Sequence, residues 1–191
     1  MRRGQSGQAG ETWRYGVVKW QSGGLMRLVF WGIVAATLGV YAAMGLWSVP
    51  KLMGYSEGAL IFDMRPWGYS PADARSLLEA LGAEGRAFYL TAQQGLDRVF
   101  PALLALTLVF SFRRLYPRGP ALALSVLAVV YAAFDYGENA LIARLLSVAP
   151  EAATPELVAA ASRLSMAKYG AVAIALMALL LGLVRRWRAR G

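Results

Sequence analysis

The chain has 191 residues, none of them cysteine or histidine, and only 16% of them charged. Without cysteine there is no disulfide framework, no thiolate metal centre and no thiol redox chemistry. Without histidine the chain lacks a leading ligand of zinc and haem, and the side chain that titrates nearest neutrality. Neither G-x-x-x-x-G-K nor G-x-G-x-x-G occurs, so the common glycine-rich phosphate cradles are missing too. The charged fraction falls below the roughly 25% of a soluble domain. A disordered chain is excluded as well, because disorder requires low hydrophobicity.

What the chain has in excess is apolar surface. Hydrophobic residues make up 58% and the mean hydropathy is +0.45, above the roughly 45–50% apolar content of soluble domains. This composition predicts an integral membrane protein. A helix needs about 20 apolar residues to cross the hydrocarbon core, and four stretches supply them, at about 25–49, 95–112, 120–148 and 156–184. The first should stop at Pro50. The second ends at the Arg113–Arg114 pair, and its helix should begin outside the lipid, near Glu84. The third starts at Pro120, a favourable first-turn residue. The fourth has Thr154 as N-cap, Pro155 at its first position and Glu156 in its first turn. A signal peptide fits the first stretch poorly, because the apolar run begins late, is too long and lacks a convincing cleavage site.

Charge sets an expected orientation. The net charge is +9. Five basic residues precede the first span (Arg2, Arg3, Arg14, Lys19, Arg27), three lie between spans two and three (Arg113, Arg114, Arg118), and four follow span four (Arg185, Arg186, Arg188, Arg190). Only one acid, Glu11, accompanies these twelve. The positive-inside rule then places both termini in the cytoplasm of a bacterial inner membrane. The same rule accounts for the basic charge, so no nucleic-acid partner is expected. Residues 1–24 read as a mobile basic cytoplasmic segment, 25–186 as a single four-helix membrane domain, and 187–191 as a basic tail. The external segment, about 50–85, holds an irregular aromatic loop, Phe62–Tyr69. A short helix follows, starting at Ser70-Pro71 and capped by Gly82. Its apolar face of Leu77, Leu78 and Leu81 is expected to lie along the outer membrane surface. The fold class is all-α: an integral membrane four-helix bundle with one short amphipathic surface helix on the external side.

Ionisable residues inside spans are expensive unless paired or wet, which makes them informative. At 1.5 Å per residue, Asp97 and Asp135 each lie 15 residues, roughly 22 Å, from the cytoplasmic end of their span; Lys168 lies 16 residues, about 24 Å, from Val184. Three helices therefore place charge in one layer. Asp135, Glu138 and Asn139 share a helical face with Tyr131 one turn earlier. Arg86, Gln93 and Asp97 share a face in helix two, and Ser165 lies one turn from Lys168. Pro101 should kink helix two and bare a carbonyl beside Asp97. Two readings fit these residues. One is a structural network in which Lys168 neutralises Asp135 or Glu138 while Arg98 or Arg86 neutralises Asp97. The other is a water-accessible pocket on the outer side. The oxygen-rich set would suit a hard cation, but its spacing matches no loop motif; no metal and no cofactor are expected. Ser165-Met166-Ala167-Lys168 fits S-x-x-K, yet the companion S-D-N and K-T-G motifs are absent, and no catalytic residue is assigned.

Small residues recur every fourth position at Ala35, Gly39 and Ala43 in span one, and similarly at Ala171, Ala175, Ala178 and Gly182 in span four. Such faces permit close helix approach, within the bundle or against another subunit.

Several strings together resemble a group of small bacterial four-helix membrane proteins to which no activity is attached. They are Phe62-Asp63-Met64-Arg65-Pro66-Trp67-Gly68-Tyr69, Leu81-Gly82, Gly85-Arg86, Tyr89-Leu90, Asp97 with Phe100-Pro101, and Asp135 with Glu138-Asn139. The resemblance covers about residues 60 to 170. It implies the four-helix membrane fold and carries no activity, cofactor or partner.

Three functions are open on the sequence. The first is an accessory or assembly subunit packing against a larger membrane complex, or a homo-oligomer, within the lipid bilayer. The second is a membrane-embedded pocket, open to the outer leaflet, that binds or transforms a lipid or amphiphile through the Asp/Glu/Lys cluster. The third is a small proton-coupled transporter.

Overall fold

The computed structural model describes residues 24–190, so the segment 1–23, where a mobile basic tail is expected, lies outside the described residues. Every regular element among the described residues is helical. In chain order these are α1 (Gly24–Ala43), a π turn (Met44–Ser48), α2 (Val49–Tyr55), a 3-10 turn (Phe62–Met64), α3 (Pro71–Phe88), a π turn (Tyr89–Gln93), α4 (Gln94–Asp97), α5 (Phe100–Leu115), α6 (Arg118–Ser147), a 3-10 turn (Pro150–Ala152) and α7 (Pro155–Arg188). They join into four runs long and apolar enough to cross a membrane: Gly24–Tyr55, Pro71–Leu115, Arg118–Ser147 and Pro155–Arg188.

Pro50 does not end the first run. A proline ring collides with the carbonyl four residues back and offers it no N–H. Here the preceding π turn widens the helix, and the Val49 N–H reaches the Met44 carbonyl, five residues back. The wider turn makes room for the ring, and the helix continues to Tyr55.

The second run is segmented. Ser70 and Asp73 form a reciprocal capping box at its start: the Asp73 carboxylate accepts from the Ser70 N–H at 2.8 Å, and the Ser70 hydroxyl accepts from the Asp73 N–H at 3.2 Å. Gly82, at φ 59° and ψ −168°, ends the short helix as expected, and the next segment starts at once. The kink ahead of Pro101 falls at Arg98 and Val99. There the Tyr136 hydroxyl donates to the Arg98 carbonyl at 3.0 Å.

The short helix departs from expectation in what it covers. Leu77, Leu78 and Leu81 are buried against Ile61, Phe62, Tyr89, Ile142, Leu145 and Val158. The loop and the ends of α6 and α7 offer this face an apolar floor within the protein, so it does not need the membrane surface. A second apolar cluster, with Leu108, Phe112, Ala128, Ala132, Ala171 and Ala175, fills the opposite half of the bundle. The polar layer lies between the two.

Helices α5, α6 and α7 pack on one another, and α1 packs on α5. The small face of α7 is a packing face: Ala171, Ala175 and Gly182 are buried, and the Tyr116 hydroxyl donates to the Ala178 carbonyl at 2.5 Å. A Cβ added at Gly182 would come within 2.9 Å of the Tyr116 ring. The small face of α1 is different, because Ala35 and Gly39 are exposed and a Cβ at Gly39 would meet nothing within 4 Å. Thr37 is the one buried residue of α1, and it meets Thr107 of α5 at 2.9 Å through their hydroxyls. We therefore expect Gly182→Leu to cost about 1–3 kcal/mol through overpacking. Gly39→Leu should leave stability within about 0.5 kcal/mol. Thermal unfolding of the isolated protein in detergent measures both.

Candidate functional site: a buried lysine among four carboxylates

The 30 residues of α6 carry Asp135 and Glu138 one turn apart on the face turned to α7. From α7, Lys168 reaches back between them. Its ammonium is 3.1 Å from Asp135 Oδ1, in ion-pair contact with Glu138 Oε2, and 3.8 Å from Asp63 Oδ1. It also lies 5.6 Å from the centre of the Tyr169 ring. The remaining oxygens are held locally. Tyr131 donates to Asp135 Oδ2 at 2.8 Å, and Ser165 donates to Glu138 Oε1. Glu138 and Ser165 are fully buried, so each needs these partners inside the protein.

Asp97 is the fourth acid. It is buried, and Asp63, Asp135 and Lys168 are all close enough to act on it electrostatically. Its expected partners do not reach it. Among the described residues no arginine forms an ion pair with it; Arg98 is exposed. Arg86 donates instead to the Val148 carbonyl at 2.7 Å and the Gly82 carbonyl at 3.1 Å, tying helix two to the end of α6. Asp97 takes a neutral partner, the Gln93 amide at 2.9 Å, whose own oxygen accepts from Ser48 at 2.5 Å. The π turn carries Gln93 and positions this relay.

Of the residues singled out in the sequence, Gln93, Asp97, Tyr131, Asp135, Glu138, Ser165 and Lys168 therefore come together, and Arg86 does not. Asn139 sits at the edge. Its backbone carbonyl accepts from Gln94 at 2.9 Å, and both polar atoms of its side chain are buried without a partner.

The loop supplies what the spans do not. Asp63 drops into the layer, where Tyr89 donates to its Oδ2 at 2.6 Å and Tyr169 donates to its backbone carbonyl at 2.5 Å. The loop lies close on α7, with the Tyr69 N–H donating to Ser162 at 2.9 Å. Gly68, at φ +80°, permits that approach; a Cβ there would stand 2.6 Å from the Ser162 hydroxyl oxygen. Asp63, Tyr69, Tyr89, Ser162 and Tyr169 were thus missed as members of the site. The one available signal was an acid set among aromatics in a loop that must fold back on an apolar end.

Burial pushes the Asp63 carboxyl above its ordinary range; Lys168 and the Tyr89 hydroxyl oppose the shift, and Asp135 adds to it. Burial likewise raises the Tyr69 hydroxyl, with Glu138 adding to the effect. Exposure is graded across the cluster: the side chains of Asp63 and Lys168 each keep 11% of their surface, Asp135 keeps 5% and Glu138 none. The layer thus meets its surroundings on the loop side. Among the described residues no group of three or more His, Cys, Asp or Glu side chains is placed to hold a metal ion.

Comparison with protein-family models, curated proteins and solved structures yields no match. The site is therefore read from its own geometry.

Two outcomes follow from the charge balance. Removing the ammonium in Lys168→Met leaves buried carboxylates without a counter-charge and should cost about 3–5 kcal/mol. Adding Asp135→Asn and Glu138→Gln to that variant should restore most of the loss, as read by thermal unfolding. The second outcome concerns pH. The folded state binds the Asp63 proton more tightly than the unfolded chain does. That contribution is complete below the ordinary carboxylate pKa and is lost as pH rises through the raised value. Asp63→Asn should flatten this decline in stability with rising pH.

Proposed function

We propose that the chain resides in a bacterial inner membrane with both termini cytoplasmic. We further propose that it works as a membrane-embedded binding protein whose site is the acid-rich layer, entered from the outer, loop-bearing side. The eight basic residues at the opposite end among the described residues, with four more in the sequence ahead of them, support the orientation. One observation carries the functional reading: a single ammonium contacts three carboxylates, with a fourth acid, Asp97, buried beside them, beneath a loop that contributes one of the three. A network built only to hold helices together would favour balanced charge, because each unmatched carboxylate raises the desolvation cost.

The surroundings support binding over transport. The apolar cluster of Leu108, Phe112 and Ala175 lies between the layer and the basic end. Trp67, 91% exposed, and Met64, 38% exposed, stand on the loop where an amphiphile would approach from the lipid. The substrate class this suggests is a lipid or other amphiphile with a polar head.

The open small-residue face of α1 favours a second reading, an accessory subunit docked on a larger complex through Ala35 and Gly39. Native mass spectrometry of the tagged protein, taken gently from its own membrane, separates the two. The pocket reading expects the chain, alone or with copies of itself, to retain one small amphiphile. Asp135→Asn with Glu138→Gln and Lys168→Met, which removes the buried charges together, should lose that molecule while keeping most of the unfolding temperature. A stoichiometric protein partner that is lost in Gly39→Leu would establish the accessory reading instead. Loss of stability alone in the carboxylate variant would reduce the layer to a strut.

A further inference from the structure

The polar layer is incomplete in a way that specifies what it lacks. Three carboxylates share one ammonium and a fourth, Asp97, is buried beside them, so with every group ionised the layer carries three negative charges in excess. Two acceptors on its loop side are unused. Asp63 Oδ1 is buried, has no hydrogen bond and meets Lys168 only at 3.8 Å. The Tyr69 hydroxyl is buried without a hydrogen-bond partner, on a side chain 9% exposed. Ser165, Glu138, Asp63 and Lys168 are the polar groups near enough to act on it. A buried hydroxyl left unpaired costs free energy, and so does excess buried charge. Protonation relieves the charge alone, as the raised Asp63 carboxyl indicates; a ligand that brings positive charge and N–H donors meets the charge and the two bare oxygens together.

Lys168 shows which cation the layer is shaped for. Its ammonium is held by the carboxylates of Asp135 and Glu138, with the centre of the Tyr169 ring 5.6 Å away. The layer is thus already an alkylammonium site, filled by a tethered occupant, with acceptors left over beside it. From these observations we infer that the site takes a second, diffusible primary ammonium group, held by Asp63, the Tyr69 hydroxyl and the edge of the Lys168 cluster. This rests on the pocket reading above and names the chemistry of its ligand. The ammonium has two sources, the head of a membrane amphiphile or a small water-soluble amine.

The test uses the full chain in nanodiscs of neutral lipid and reads its unfolding temperature against added probes. The probes are dodecylammonium, butylammonium, dodecanol and dodecyl phosphate. Stabilisation by dodecylammonium alone is the expected result and assigns the membrane source. Equal stabilisation by butylammonium still supports the inference and assigns the soluble source. In either case Asp63→Asn should raise the concentration giving half the shift by about tenfold, the loss expected for a hydrogen bond to a charged group. Glu79→Gln, at an exposed acid of α3, should leave it unchanged.

Tyr69→Phe keeps the inference falsifiable if Asp63→Asn folds poorly. It deletes only an unpaired buried hydroxyl, so it should raise the unfolding temperature of the free protein while weakening the response to the ammonium. A merely structural hydroxyl would not move these two readings in opposite directions. Stabilisation by dodecanol or dodecyl phosphate instead, abolished by Glu138→Gln, would keep the pocket and overturn the ammonium. No response to any probe would overturn both. An ammonium response unchanged in Asp63→Asn and Tyr69→Phe would mark surface adsorption and overturn the inference.

Discussion

The arrangement of this protein depends on the ammonium of Lys168. Taking an isolated charge out of water costs several kcal/mol even after the surroundings relax. The lysine offsets that cost by meeting Asp135, Glu138 and Asp63, which come from α6 and from the loop. Each of those acids is equally dependent on the lysine. The result is mutual: α6 and α7 cannot slide past one another, and the loop cannot lift, without leaving a charge unpaired. In the bilayer proposed for the chain, apolar packing alone would specify this register weakly, since lipid tails compete with leucine side chains on equal terms.

The rest of the fold serves that contact. Apolar clusters above and below confine the polar groups to one layer, which sharpens their interactions by keeping water out. The irregular backbone falls at the same depth. The π turn at Tyr89–Gln93 presents Gln93 to Asp97, and the break before Pro101 leaves a carbonyl that Tyr136 satisfies. Departures from helical geometry at membrane depth are tolerated where protein groups satisfy the freed backbone. Here they place the fourth carboxylate in the cluster. The excess of acid over base is the feature on which the proposed binding role rests.

Much of this was legible in the residues. Hydropathy locates all four long helices, and the 1.5 Å rise puts Asp97, Asp135 and Lys168 at one depth from the sequence alone. The i, i+3 spacing of Asp135 and Glu138 and the pairing with Lys168 followed from the same arithmetic. Other features depend on tertiary contact and leave no periodic trace. Pro50 continues a helix because a π turn precedes it, and nothing in local composition marks that turn. Arg86 shares a helical face with Gln93 and Asp97, yet it is drawn to the Val148 carbonyl, whose position only the folded bundle defines. Asp63 sits in an irregular loop, where neither a period of 3.6 nor depth counting applies. Its place in the cluster comes from Gly68 lying against Ser162, more than ninety residues away in sequence.

The most direct test is the distance between Lys168 and its carboxylates in a bilayer. The chain has three lysines, Lys19, Lys51 and Lys168, so the signal of the buried one is readily assigned. Solid-state NMR dipolar recoupling between the Lys168 Nζ and the carboxyl carbons of Asp135 and Glu138 reports the contact and the charge state together. The account predicts a charged ammonium strongly coupled to both carbons, with the coupling to each lost in Asp135→Asn or Glu138→Gln where the contact breaks. A neutral amine, or an ammonium with no carboxyl carbon within direct contact, would contradict it.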